Sequence, residues 1–292
     1  MTLAADRWAT LAEPAGPVGA RRGHGVGAVW RLELTKLAGQ LRVRAVAAAC
    51  LVVPFVVVGA FSVQGSVPSD TLFGQWVHAS GYAIPLVILG FGGQWLLPLL
   101  TAVVAGNIFS AEDHFGTWKT ILTRSRSRGE IFAGKFLAAV TYAVAMIVAL
   151  AIAALAAGVL SGTQPVVGLS GQLVPAGRAT ELVLASWASQ LPPVLAFTAL
   201  AVALSVLSRN SAVGMGGPVL IGLVLQLLTL VSLPQSLRVA LLTTPFVAWH
   251  GFWVGAPFLG PLREGLVTAA VWFVVCGGVA WVAFRRRTIG AA

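Results

Sequence analysis

Long apolar runs decide what this chain can fold into. Several exceed the roughly 18 residues that mark a membrane crossing. Six segments read as spans, at about Ala45–Phe61, Ala83–Phe109, Ile131–Leu160, Glu181–Leu207, Ala212–Leu233 and Gly265–Phe284. Only 10% of the residues are charged and 58% are hydrophobic, against about 25% charged in soluble domains. Such a chain could not clothe its surface in water, so the expected fold is an all-α integral membrane protein with six transmembrane helices. The second and third segments are longer than a span needs, which allows tilt or protrusion. Pro85 and Pro98 within the second are expected to bend it. No period of 20–50 residues recurs, so this is not a tandem array.

The formal net charge is +10. In a soluble protein that would point to nucleic acid. Here the basic residues sit in loops and at helix ends, where they set orientation and meet anionic headgroups. Membrane lipid, not nucleic acid, is the partner this implies. With six spans, one side receives Arg7, Arg21, Arg22, Arg31, Lys36, Arg42 and Arg44, then Lys119, Arg124, Arg126, Arg128 and Lys135, then Arg209 and Arg285–Arg287. The other side receives only Arg178, Arg238 and Arg263. That asymmetry predicts both termini in the cytoplasm.

Residues 1–27 are rich in Gly and Pro and lack the apolar core of a secretory signal, so they read as a flexible cytoplasmic tail. A single membrane domain over 28–287 follows, with a short tail at 288–292. Between 29 and 44, Trp30, Leu34, Leu37 and Leu41 recur at steps of four, three and four, one face of a helix. Arg31, Lys36, Arg42 and Arg44 lie off that face. The pattern suits a helix lying in the membrane interface; a cytosolic extension of the first span is the other possibility. Residues 233–264 are aromatic, with Phe246, Trp249, Phe252, Trp253 and Phe258, and are broken by Pro234, Pro245, Pro257 and Pro261. This reads as a re-entrant or interfacial segment on the outer face, a lid or plug with its Trp side chains at headgroup level.

Chemistry for catalysis is absent from the pattern. Ionisable residues inside spans mark proton and ion paths, and this chain has almost none, which counts against a proton-coupled carrier. His24, His78, His114 and His250 are scattered, with no HExxH, so no metal site is expected. Cys50 and Cys276 read as small buried hydrophobes. Gly129–Lys135 has the spacing of a phosphate-binding loop, but Phe136 stands where Ser or Thr must hold magnesium, and the stretch opens a helix. No catalytic residue, no cofactor on this chain and no enzyme activity are expected.

The informative segment is the loop at 110–130. It carries Glu112 and Asp113, turns at Gly116-Thr117, and continues into a short stretch in which Trp118, Ile121 and Leu122 recur at helical steps and would offer an apolar edge to a partner. Arg124, Arg126 and Arg128 follow. Read from the residues alone, this is either a docking loop or an ordinary cytoplasmic loop obeying the positive-inside rule.

In Glu112, Gly116, Thr117, Ile121, Leu122, Ser127, Arg128 and Lys135 the segment resembles the signature region of the type-2 ABC exporter permease family, and the layout over about 28–287 is similar to it as well. The basic run from Arg124 to Arg128 departs from the pattern, since a Pro is common there in relatives. The resemblance implies a permease subunit paired with a second copy or a relative, resting on ATP-binding cassette ATPase subunits that hold ATP and magnesium. It implies a plasma-membrane protein in which the N-terminal helix and the loop residues Glu112, Gly116, Thr117, Trp118, Ile121, Leu122, Arg124 and Arg128 relay cassette closure. It also implies a path along the second and fifth spans, where Gln94 and Gln226 are the polar residues. Either glutamine could equally make an interhelical hydrogen bond. The rival readings are a self-contained secondary transporter and a non-transporting scaffold.

Overall fold

The computed structural model describes residues 25–65, 71–118, 126–232 and 234–287. The chain forms helices α1 (Gly25–Gly39) and α2 (Leu41–Val63), a 3-10 turn at Gly74–Trp76, α3 (Ala83–Ala105), α4 (Ser110–His114) and α5 (Arg128–Ser161). A two-stranded antiparallel hairpin follows, β1 (Val166–Val167) and β2 (Leu173–Val174). Then come α6 (Ala176–Ala188), α7 (Leu191–Ser208), α8 (Ser211–Leu228), α9 (Gln235–Ala240), a 3-10 segment at Thr244–Phe252, and α10 (Gly260–Arg286). Among the described residues, six lengths are long and apolar enough to cross a membrane: α2, α3, α5, α6 with α7, α8 and α10. The protein is an all-helical, multi-pass membrane protein.

Helix α7 is the axis of the bundle. It packs most extensively along α10 and also against α3, α5 and α8. Half of its buried positions are small: Ala196, Ala199, Ala201, Ala203, Thr198 and Ser205. Lipid tails are as apolar as Leu, so helices associate through close packing, which small residues permit. Phe197 and Leu200 are buried among them, while many large apolar residues of the outer helices face away. Leu51, Val56, Leu220 and Val274 on α2, α8 and α10 are exposed to what would be lipid.

Helix α5 spans 34 residues, about 51 Å at 1.5 Å per residue. The hydrocarbon layer is about 30 Å thick, so part of α5 stands outside it. Its start is set by a capping box: Ser127 Oγ accepts from the Glu130 N–H at 3.2 Å, and Glu130 Oε2 accepts from the Ser127 N–H at 2.9 Å.

Several sequence expectations need correction. The N-terminal helix ends at Gly39, and extended backbone at Gln40 separates it from α2. Leu41, expected on its apolar face, therefore opens α2 and is 82% exposed. The second span stops at Ala105, not Phe109, and Pro85 lies in its first turn, where helical N–H groups have no acceptor anyway. Only Pro98 interrupts that ladder. The fourth span is two helices, because Pro192 and Pro193 cannot donate back across Ser189 and Gln190.

The aromatic segment differs most. Phe246, Trp249 and Trp253 are buried rather than standing at headgroup level. Phe73 sits between the two indoles, with ring centroids at 5.9 Å to Trp249 and 5.3 Å to Trp253. Trp253 Nε1 donates to Ser186 Oγ at 3.0 Å, and its carbonyl accepts from Leu169 N–H at 2.7 Å and Gln172 Nε2 at 2.9 Å. The segment thus ties the hairpin and the 71–76 turn into one cap at that end of the bundle. The tails expected at the chain ends, 1–27 and 288–292, lie outside the described residues except for 25–27.

Candidate coupling site

At the end of the bundle opposite the hairpin, α3 hands over to α4 at a point where two backbones touch. A Cβ on Gly106 would overlap the Gly214 carbonyl in α8, and a Cβ on Gly214 would overlap the Gly106 carbonyl. Only glycine fits at either position. Just beyond, Ser205 Oγ of α7 accepts from the Ser110 N–H at 3.1 Å, and Ser110 and Ser211 hydroxyls meet at 3.1 Å. The start of α4 is thereby held to both α7 and α8.

Helix α4 delivers Glu112 into a buried charge cluster. Lys135 from α5 has a side chain only 1% exposed. Its ammonium donates to Glu112 Oε1 at 2.8 Å and to the Ile108 carbonyl at 3.1 Å, and it pairs with Glu33 Oε2 of α1 at 3.1 Å. Two hydrogen bonds and a second carboxylate beside it offset the desolvation of a buried ammonium. Lys36 closes the cluster, at 3.0 Å from Glu33 Oε1 and 3.2 Å from Glu112 Oε1. Two carboxylates and two ammonium groups balance, and they join three elements remote in sequence.

The same contacts set the protonation of Glu112. Burial alone would raise its pKa. The Lys135 ion pair and hydrogen bond, the Thr117 hydroxyl and Lys36 outweigh it and hold the carboxyl at about 2. For Lys36, burial works downward, but Glu33 and then Glu112 carry its pKa above the usual lysine value.

The Gly-Thr step after α4 has a geometric reason. Gly116 adopts φ +64°, the left-handed region, at no steric penalty. The turn brings Thr117 back, so that its N–H donates to the Glu112 carbonyl at 3.0 Å and its hydroxyl to the Glu112 carboxylate. Trp118 then folds inward. Its indole N–H donates to Asp113 Oδ1 at 3.0 Å, and its ring packs near Phe109 and Phe284. Arg287, at the end of α10, pairs with Asp113 and lies 5.5 Å from the Trp118 ring centre. Arg128 Nη1 donates to the Arg285 and Arg287 carbonyls at 2.9 and 2.7 Å. Arg287 is therefore a buried clamp, although a basic tail reads in sequence as a headgroup anchor.

The structure thus gathers Glu112, Gly116, Thr117, Trp118 and Arg128 at one end, together with α1. It corrects the expectation that Trp118 presents an edge to a partner, because the ring is 5% exposed and packed inward. Ile121, Leu122 and Arg124 lie outside the described residues. On α1, Leu37 is buried, Trp30 and Leu34 pack against the core, and Trp30 Nε1 donates to Thr141 Oγ1 of α5 at 3.0 Å. Lys135 cannot serve a nucleotide: the Gly129–Lys135 stretch is helical, and its ammonium is committed to two carboxylates.

Sequence reasoning missed Glu33, and with it the meaning of Lys36. The available signal was an acid placed three residues before a lysine in an otherwise basic helix. Gln94 and Gln226 are partly buried on α3 and α8, helices that pack together. Each is twelve residues from the Gly106–Gly214 crossing, about 18 Å of helical rise, and so at a similar depth. A cavity of about 250 Å³ reaches Gln94 from the hairpin end; the Gln226 side-chain oxygen is buried without a hydrogen-bond donor among the described residues.

Compared with known proteins, residues 30–227 match the family model described as ABC-2 family transporter protein. No curated protein matches the chain.

Proposed function

From the premise that this chain belongs to the ABC-2 family of transporter proteins, we propose that it is the permease subunit of an exporter driven by a separate ATP-binding cassette subunit. The family membership makes it a permease of an ABC transporter. The finer reading adds that ATP and magnesium reside on the partner, that a second permease copy or relative completes the path, and that both termini face the cytoplasm of the plasma membrane. Gln94 and Gln226 line the path in this reading, and the α4 end receives the cassette.

The observation that carries it is the buried Glu33–Lys36–Glu112–Lys135 cluster. It makes α1, α4 and the start of α5 one mechanical body, so that a push on the neighbouring loop is passed to α3 and α5 together rather than absorbed by a mobile turn. Proteoliposomes containing this chain and a cassette subunit that co-purifies with it test the reading. Arg126→Glu, at an exposed loop position, should weaken cassette co-purification and lower ATP-dependent flux, with the permease still folded. Gradient-driven flux by this chain alone would replace the reading with that of a secondary transporter.

A further inference from the structure

The cavity that reaches Gln94 lies between α3, the 71–73 segment and the 3-10 segment at Thr244–Phe252. Its walls include four aromatic side chains, Phe73, Phe91, Phe246 and Trp249, and among the described residues no Asp, Glu, Lys or Arg side chain lines it. Its polar side chains are Thr71, Gln94 and His250. Among the described residues, neither the Gln94 amide nor the His250 imidazole makes a hydrogen bond within the protein, although both reach the same space. An amide and an imidazole without hydrogen-bond partners, half-buried among aromatic rings, are strong recognition groups, because a polar group in apolar surroundings gains most from a matched ligand.

We infer that this cavity binds an uncharged aromatic amphiphile: a flat apolar body held among Phe73, Phe91, Phe246 and Trp249, with a hydrogen-bonding group directed at Gln94 and His250. Pockets of this kind take their affinity from apolar walls and their orientation from a few polar groups. The described lining offers no charge and so disfavours ions, phosphates and charged peptides, whose desolvation it would not offset. His250 does not supply that charge, since burial lowers its pKa to about 4 and leaves it neutral at physiological pH. This inference rests on the transport reading for its biological meaning, since it names a class of cargo, but binding itself requires no ATPase.

The test therefore measures binding without transport. The full-length chain in phosphatidylcholine vesicles is photolabelled with benzophenone, which has two rings and one carbonyl acceptor, and the labelled peptides are mapped. Exposed Leu51, Val52, Phe55 and Val56 on α2 report probe dissolved in lipid, and their labelling should rise linearly. Labelling of peptides 86–94 and 246–250 should saturate. Gln94→Leu and His250→Phe should each raise the half-saturating concentration about fivefold, the factor that about 1 kcal/mol carries. Gly90→Leu should abolish the saturable component, because Gly90 lines the cavity and a Cβ there meets nothing within 4 Å, so the side chain fills the space without a backbone clash.

At pH 8, 4-benzoylbenzoate should label the same peptides at least about tenfold more weakly, about 1.4 kcal/mol for its buried charge. Linear labelling at the cavity, saturation that survives Gly90→Leu, or equal labelling by the carboxylate would each overturn the inference. Saturable labelling in a protein that shows no ATP-linked flux would keep this site and sink the transport reading instead.

Discussion

At the scale of single residues, the charge cluster makes the sharpest claim. Lys135→Met leaves Glu33 and Glu112 sharing only Lys36, and breaking a buried pair from one side costs about 3–5 kcal/mol. The double variant Glu112→Gln/Lys135→Met removes one charge of each sign and leaves Glu33 paired with Lys36. It is expected to unfold in detergent at a higher temperature than Lys135→Met alone. Losses that simply add would mean the two do not act as a pair. The pH dependence of stability gives the same interaction a second readout. The Glu112 carboxyl is depressed from its ordinary 4.5 to about 2, so its contribution is full above about pH 5 and is lost as pH falls through that interval. Lys36 is raised above 10.5, so its contribution is full below that value and is lost in stronger alkali. Glu112→Gln should flatten the acid limb and, because Glu112 also helps to raise Lys36, shrink the alkaline one without abolishing it, since Glu33 remains.

At the scale of elements, the crossing of α3 and α8 at Gly106 and Gly214 sets where one helix stops and the next starts. Gly106→Ala would force its methyl group into a backbone carbonyl, and overpacking of that kind costs about 1–3 kcal/mol. Gly216→Ala, two residues along α8 with open space at its Cβ, is the control and should be neutral or slightly stabilising through helix propensity. Thermal unfolding of both variants checks this, and equal melting temperatures would mean that α3 and α8 do not press together there. Element boundaries were only partly legible in the sequence for the same reason. Apolar length located each helix, but the stop at Ala105 depends on a contact more than a hundred residues away. The Pro192-Pro193 pair was visible in the sequence as a break between α6 and α7 and was read through.

At the scale of the whole molecule, the two ends are built differently. One holds the ion cluster, the Trp118–Arg287 clamp and most of the basic residues; the other is an aromatic cap closed by the hairpin. The proposed orientation puts the first in the cytoplasm. Native Cys50 and Cys276 are buried, which keeps the background low for cysteine labelling of intact cells with an impermeant maleimide. Leu173→Cys, in the exposed part of the hairpin, should label directly. Arg126→Cys should label only after permeabilisation, and the reverse pattern would invert the orientation and remove the cassette-facing role of α4.

Six spans, the charge asymmetry and the family's signature spacing in the 110–130 loop were all readable from the chain alone, because hydropathy, positive charge and motif spacing are properties of neighbours in sequence. Gly116 and Thr117 could be singled out, but their purpose could not, since it is Glu112 that they fold back upon. Which face Trp118 shows, that Glu33 meets Lys135, that Arg287 is buried and that Trp249 and Trp253 form a core were decided only by tertiary packing. Each depends on the partner brought up by a distant helix, and in a medium where almost every residue is apolar the local pattern carries little information about which neighbour that will be.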